Sequence, residues 1–318
     1  MIRIIFSIFL FLFFNFAVHA QAWPSRPVRI IIPFAPAGPT DLIARIAGQK
    51  LSEILGQPMV IESRAGAGGN IGTAAVAKSA PDGYTVLITS SAYAVNVSLS
   101  PNAGYDAERD FIPVANIAKQ ANVIFVHPGL AAKTLAELLA LAKASKLAFA
   151  SPGSGTTPHL TGENLFNVTS KLDVTAIHFR GAGPAIAAVV AGEPQIGAGA
   201  LSTPLPHIKS GRLRALAVSS AARVAALPEV PTFAEAGFPG VEDYTWIGVF
   251  LPAGTPPAIV QKLNESINQA LQGADMRERL EALAFEPVGG TPQQFAAYVK
   301  AEIAKWGKVV REGNIKAE

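Results

Sequence analysis

Val28-Arg-Ile-Ile-Ile-Pro33, then Phe34-Ala-Pro-Ala-Gly-Pro-Thr40, then Asp41 through Leu55: the reading of this stretch decides the fold class. The first piece is a short apolar run, the pattern of a buried strand. The second is a loop whose Pro and Gly residues break any regular element. The third puts Leu42, Ile43, Ile46, Leu51, Ile54 and Leu55 on one side of a helix. Working outward, the triplet recurs. Met59–Ser63 reads as the next strand, Gly66-Ala-Gly-Gly-Asn70 opens another helix, and Tyr84–Thr89 reads as a third strand. Such βαβα order predicts a mostly parallel sheet with helices on both faces.

The middle of the chain repeats the scheme. Val123–Val126 is expected as a strand, Thr134–Ser145 as a helix and Ala148–Ala150 as a strand. The loop Ser151-Pro-Gly-Ser-Gly-Thr-Thr157 feeds a helix near Pro158. Val174–Phe179, Gly181–Ala191, Gln195–Gly199, Thr203–Ser210 and Ala215–Val218 continue the alternation. Beyond Thr245–Leu251 the pattern is mostly helical, with one stripe of Ile259, Leu263, Ile267 and Leu271 and another of Phe295, Val299, Ile303, Trp306 and Val310. Two α/β lobes follow, each with Gly/Pro/Ser/Thr loops where strands meet helix N-termini. In open α/β sheets ligands sit beyond the carboxyl ends of strands, so Phe34–Asp41 and Ser151–His159 are expected to face one another across a cleft.

Residues 1–20 read as a signal peptide. Arg3 is the basic start, Ile4–Val18 the apolar core, and cleavage is expected after Ala20 or Ala22. Ser7 and Asn15 interrupt the run, which falls short of the ~20 apolar residues a spanning helix needs. The mature chain is then expected outside the cytoplasmic membrane. The chain has no Cys, so a lipid-modified cysteine, thiol catalysis and thiolate metal sites are excluded. Half the residues are apolar and 15% charged, which suits a large core. The net charge is +3, without Lys/Arg runs, and gives no nucleic-acid footprint. The five His have no metal spacing. Gly66-x-Gly68-x-x-x-Gly72 departs from a dinucleotide loop in its third Gly, and Gly153-Ser-Gly155 lacks the hydrolase elbow spacing. No cofactor is expected.

Several ordered motifs resemble one family. Pro33-Phe34-Ala-Pro-Ala-Gly38-Pro-Thr-Asp41-x-x-Ala44-Arg45 is similar to its opening Pro-Phe-x-Pro-Gly-Gly-x-x-Asp-x-x-Ala-Arg pattern. Leu55-Gly-Gln-Pro58, Glu62-Ser-Arg64-Ala-Gly66-Ala-Gly-Gly-Asn70-Ile-Gly72 and Ala80-Pro-Asp-Gly-Tyr-Thr85 follow in order. So do Gly153-Ser-Gly-Thr156 with His159, Phe179-Arg180-Gly181 with Pro184-Ala185, and Pro206-His-Ile208-x-x-Gly211-x-Leu-Arg-Ala-Leu-Ala217. The resemblance, over essentially the whole mature chain, is to the Bug/TctC group of periplasmic solute-binding receptors of tripartite tricarboxylate transporters. It implies a two-lobed periplasmic binding protein of the Venus-flytrap kind, with a ligand cleft between the lobes. Residues 23–120 plus 246–318 are expected as lobe 1 and 121–245 as lobe 2, with hinges at Ala118–Asn122 and Tyr244–Trp246. It implies a small carboxylate ligand, membrane permease subunits as partners, a monomer, and no enzymatic turnover. A sensing role with the same lobes, or an α/β enzyme, are the alternatives. Two departures stand out: Ala37 replaces the first Gly of the pair, and Gln195-Ile-Gly197-Ala-Gly199-Ala200 replaces Gln-Val-Asp and larger apolar residues.

A Gly/Pro loop before a helix leaves backbone N–H groups pointing outward with the positive end of the helix dipole behind them, which suits a carboxylate. Phe34, Ala37, Gly38, Pro39, Thr40 and Asp41 form one such nest, with Thr40 or Asp41 as N-cap. Ser154, Gly155 and Thr156 form another, and Ser90, Ser91, Ser202 and Thr203 stand at further strand ends. Each Ser or Thr taken singly is equally a turn or cap residue. Asp41 and Arg45, at i,i+4, read by default as an ion pair. Arg180 and Gly181 are candidates for meeting an anion or for a structural turn, and His159 for a ligand contact or a hydrogen-bonded core residue. Phe34 and Tyr93 could pack on a ligand body or in the core. Ala37→Gly is expected to admit bulkier acids at a stability cost of ~0.5–1 kcal/mol.

Overall fold

The computed structural model describes residues 23–317. The leader expected at residues 1–20 lies outside them.

Lobe 1 opens with β1 (Val28–Ile32), α1 (Pro39–Leu55), β2 (Met59–Ser63), α2 (Asn70–Ala77), β3 (Thr85–Ser90) and α3 (Ala92–Leu99). β1 pairs in parallel with β2 on one side and β3 on the other. The apolar stripe of α1 packs Ile43, Ala44, Ala47 and Leu51 on Val28, Ile30 and Ile32. On the opposite face, Ile31, Leu87 and Val76 join the aromatic group of Tyr93, Phe111, Trp246 and Phe250. Helices therefore cover both faces of the sheet, as βαβα order requires.

β4 (Phe111–Val126) is far longer than the apolar run at its end. Pro113, Asn116, Lys119 and Gln120 interrupt the hydrophobic pattern of its first half. Register shifts between Pro113 and Ala115, and between Asn116 and Ala118, let the ladder pass them. β4 pairs antiparallel with β9 (Tyr244–Pro252) as far as Ala121, and from Asn122 onward with β7 (Ile196–Ala200) and β8 (Arg214–Val218). One strand thus runs through both lobes and changes partners between Ala121 and Asn122.

Lobe 2 adds α4 (Leu135–Ala144), β5 (Leu147–Ser151), α5 (Thr157–Glu163), β6 (Val174–His178), α6 (Ala182–Ala191) and α7 (Leu205–Lys209). β5 pairs in parallel with β6 and β7. The chain ends with α8 (Pro257–Gln272), α9 (Ala274–Ala282), β10 (Glu286–Gly289) and α10 (Pro292–Glu312). β10 is a short edge strand on β4 with no apolar alternation to announce it. The connected sheet is mixed. Its flanks are parallel, as the βα repeats predict, while β9 enters antiparallel to both β3 and β4, and β4 antiparallel to β7 and β8.

Near the crossing, Trp246 Nε1 and Trp306 Nε1 both donate to Glu302 Oε2 at 3.1 Å, fastening α10 to β9. The second sequence departure is a packing matter. A methyl group on Gly197 would stand 2.4 Å from the Phe125 ring, and one on Gly199 3.1 Å from it. Gly197 sits opposite Phe125 in the ladder. The ring occupies the volume that larger side chains on β7 would need.

Candidate functional site

Because β1, β2 and β3 are mutually parallel, as are β5, β6 and β7, their carboxyl ends deliver the loops of each lobe to one edge. The two edges meet. A methyl on Gly68 would be 3.1 Å from the Ser154 carbonyl, and one on Gly155 would be 2.6 Å from Asn96 Oδ1. Asn96 Nδ2 donates to the Gly68 carbonyl at 2.8 Å, and the hydroxyls of Ser91 and Thr157 bond directly across the gap. Gly68, with φ 62, and Gly155, with φ 76, need both the left-handed conformation and the absence of a side chain at this approach.

On the lobe 1 side, Gly38 is the N-cap of α1 and supplies no side chain to its first turn. Asp41, expected as a possible cap, instead reaches backwards. Its Oδ2 accepts from the Ala37 N–H at 3.0 Å and from Arg45 Nε at 3.0 Å, and the bond to Asp41 holds the Arg45 guanidinium still more firmly protonated. The buried Asp41 therefore braces the loop from behind, as the ion-pair reading had it. Ala37 has φ 64 and is exposed. This left-handed turn is what aims its N–H at Asp41, so that donor is already used. Thr40 is buried and Pro39 half-buried. The half-buried Phe34 ring lies over Gly69, where a methyl would approach Cζ to 3.0 Å. Ser90 Oγ accepts from the Ala92 N–H at 3.4 Å. Tyr93 is core, stacked on Phe250 with centroids 4.4 Å apart.

On the lobe 2 side, Thr156 caps α5. Its hydroxyl accepts from the His159 N–H at 3.4 Å and donates to the Gly153 carbonyl at 2.8 Å. His159 is buried, with Nδ1 accepting from the Gly155 N–H at 3.3 Å, Nε2 3.7 Å from Glu163, and its ring edge-on to His178. It stands under the loop rather than in front of it. Ser154 Oγ is buried and has no partner. Arg180 is exposed and makes no hydrogen bond or ion pair among the described residues, beside Gly181 at φ 117 where a methyl would meet open space. Ser202 and Thr203 follow β7, and both hydroxyls lack partners.

Sequence reading passed over the groups beneath these loops. Asn122 Nδ2 donates to Asp243 Oδ1 at 2.7 Å and to Thr161 Oγ1 at 3.1 Å, and Asn122 Oδ1 accepts from Thr245 Oγ1 at 2.7 Å. Ser219 Oγ donates to the Asp243 carbonyl at 2.6 Å and accepts from the Asn122 N–H at 2.8 Å. Burial pushes the Asp243 carboxyl up to about 6, against the pull of Lys305 and the bonds from Asn122, Ser219 and Thr161. Only the polar Asn122 directly before the apolar run Val123–Val126 signalled this network. A separate cavity of about 700 Å³, lined by Lys133, Arg214 and Glu229 among others, lies at the pole of lobe 2 where β4 ends and β8 begins, far from the strand crossing.

Among the described residues no His, Asp and Glu gather as a metal site, and no helix is long and apolar enough to cross a membrane. Residues 43–315 match the family model for the tripartite tricarboxylate transporter family receptor, TctC. The chain is 40% identical over 303 residues to Protein BugT of Bordetella pertussis, covering 94% of this chain and 93% of that one. Among solved structures, Rpa4515 of R. palustris with adipate superposes with a TM-score of 0.88 at 35% identity, covering 93% of this chain and all of the other. MatC of Rhodopseudomonas palustris with bound malate does so with a TM-score of 0.85 at 33% identity, covering 91% of this chain and all of the other.

Proposed function

This chain belongs to the TctC family of tripartite tricarboxylate transporter receptors, and from that membership we propose that it captures a small carboxylate between its lobes and presents it to membrane permease subunits. The observation that carries the reading is the meeting of the two loop edges, with the buried, unpartnered Ser154 hydroxyl between them. Protein structures rarely leave a buried hydroxyl without a bond, so a ligand that supplies an acceptor suits this place. Relatives of the same fold hold adipate and malate, both carboxylates. The first turn of α1, Ser154 and the unpaired Arg180 are the groups expected to hold the anion. Residues 23–120 plus 246–318 move against 121–245, bending where β4 changes partners near Ala118–Asn122 and where β9 begins near Tyr244–Trp246. The mature protein works as a monomer in the periplasm after loss of residues 1–20, and releases its ligand unchanged. Calorimetry against organic acids and their amides tests this: acids bind and amides bind far more weakly. Binding of sugars or cations, with no acid bound, would refute it.

A further inference from the structure

Gln120 is the group that sequence reading gave no role. It lies on β4 just before the strand changes lobes, and is 1% exposed. Its Oε1 accepts from the Ser202 N–H at 2.6 Å. That bond fixes which way round the amide lies, because the flipped form would set NH₂ against N–H. Nε2, with two N–H donors, is therefore the free end, and it has no partner. Ser202 Oγ and Thr203 Oγ1, next along the chain from the Ser202 N–H that Gln120 holds, have none either. Alternation along the strand puts Gln120 on the same side of β4 as Asn122, whose amide reaches Thr161 of α5. Lys119, on the opposite side, lies over the Tyr244 ring at 4.1 Å. The α5 side is the one from which the Ser154 loop descends.

Three side-chain atoms able to donate, the Gln120 amide nitrogen and the Ser202 and Thr203 hydroxyls just past the carboxyl end of β7, are thus buried without acceptors. Protein interiors rarely leave such groups unmade, and one of them, the Gln120 amide nitrogen, can only donate. We infer that Gln120, Ser202 and Thr203 form a donor subsite at the floor of the cleft that receives the acceptor-only end of the ligand, a carboxylate, and refuses an ammonium group. The inference rests on the carboxylate-receptor reading above, and adds to it which residue reads the chemistry of the ligand's far end. Ser and Thr hydroxyls tolerate either polarity by rotating, so discrimination falls on Gln120.

The test pairs succinate, glutarate and adipate with the ω-amino monoacids of the same chain lengths, each titrated calorimetrically into the mature protein. The best diacid is expected to bind at least about tenfold more tightly than its amino counterpart, the scale of a hydrogen bond to a charged group. Gln120→Glu keeps the acceptor for the Ser202 N–H and replaces the free donor by an anionic acceptor. Its diacid-to-amino ratio is expected to fall at least about tenfold, towards or past parity. Ser202→Ala with Thr203→Val removes only unpartnered hydroxyls, so it is expected to fold even if Gln120→Glu does not, and to weaken the diacid by about tenfold or more. No binding by any acid to the wild type would overturn the carboxylate-receptor reading itself. Diacid binding with an unchanged ratio in Gln120→Glu, or unchanged diacid affinity in the double variant where Gln120→Glu does not fold, would overturn the subsite alone.

Discussion

Asp243 provides a stability measurement that isolates one buried group at the strand crossing. Its carboxyl is raised from 3.8 to about 6, with burial the leading cause. The native state therefore holds this proton more tightly than the unfolded chain does. The sign follows from linkage: below about pH 3 both states are protonated and the group costs nothing. As pH rises through the window to about 6 the unfolded chain releases its proton first, and stability falls. Above the folded value the full difference is lost, about 3 kcal/mol. The cost is the residue left after Asn122, Thr161 and the Lys305 charge have offset part of the desolvation. Asp243→Asn cannot ionise, so it lacks this slope whatever constant penalty its amide incurs against Thr161. Urea unfolding of both proteins from pH 3 to 8 makes the comparison, and other titrating groups cancel in the difference. Wild type should lose about 3 kcal/mol relative to the variant across that window. Parallel profiles would mean that Asp243 titrates alike in both states, and that the Asn122–Thr161–Asp243 network compensates its charge fully.

Two further outcomes follow from the loops. Ala37→Gly should leave stability unchanged or raise it by up to about 1 kcal/mol, since relief of a left-handed Ala outweighs the added freedom of Gly, and a clear loss in thermal unfolding would contradict the φ of 64. Ser154→Ala should leave the melting temperature unchanged and weaken acid binding about tenfold, whereas Thr156→Ala should cost about 1 kcal/mol of stability through its lost cap. Equal effects of the two substitutions on unfolding and on calorimetric affinity would undo that division.

The legible part of this protein was what depends on near neighbours in the chain. The apolar runs at Val28–Ile32 and Met59–Ser63, the stripe of α1 and the Gly/Pro loops between them dictate βα units by local periodicity, and parallel strands must then bring their loops to one edge. The family motifs, ordered along the chain, were readable for the same reason. Partner choice across the fold was not. Even between residues four apart, the bond from the Ala37 N–H to Asp41 was not legible, since it depends on a backbone dihedral set by the whole turn. Nothing near Gly197 and Gly199 tells that the ring of Phe125, on a different strand, fills the space their side chains would need. The first half of β4 was hidden because Asn116, Lys119 and Gln120 break its apolar pattern, and the burial of Gln120 and Asn122 becomes tolerable only when distant strands and loops supply hydrogen bonds. Sequence periodicity records which faces are apolar; which buried polar atoms find partners, and which are left waiting for one, is decided only when the chain has closed on itself.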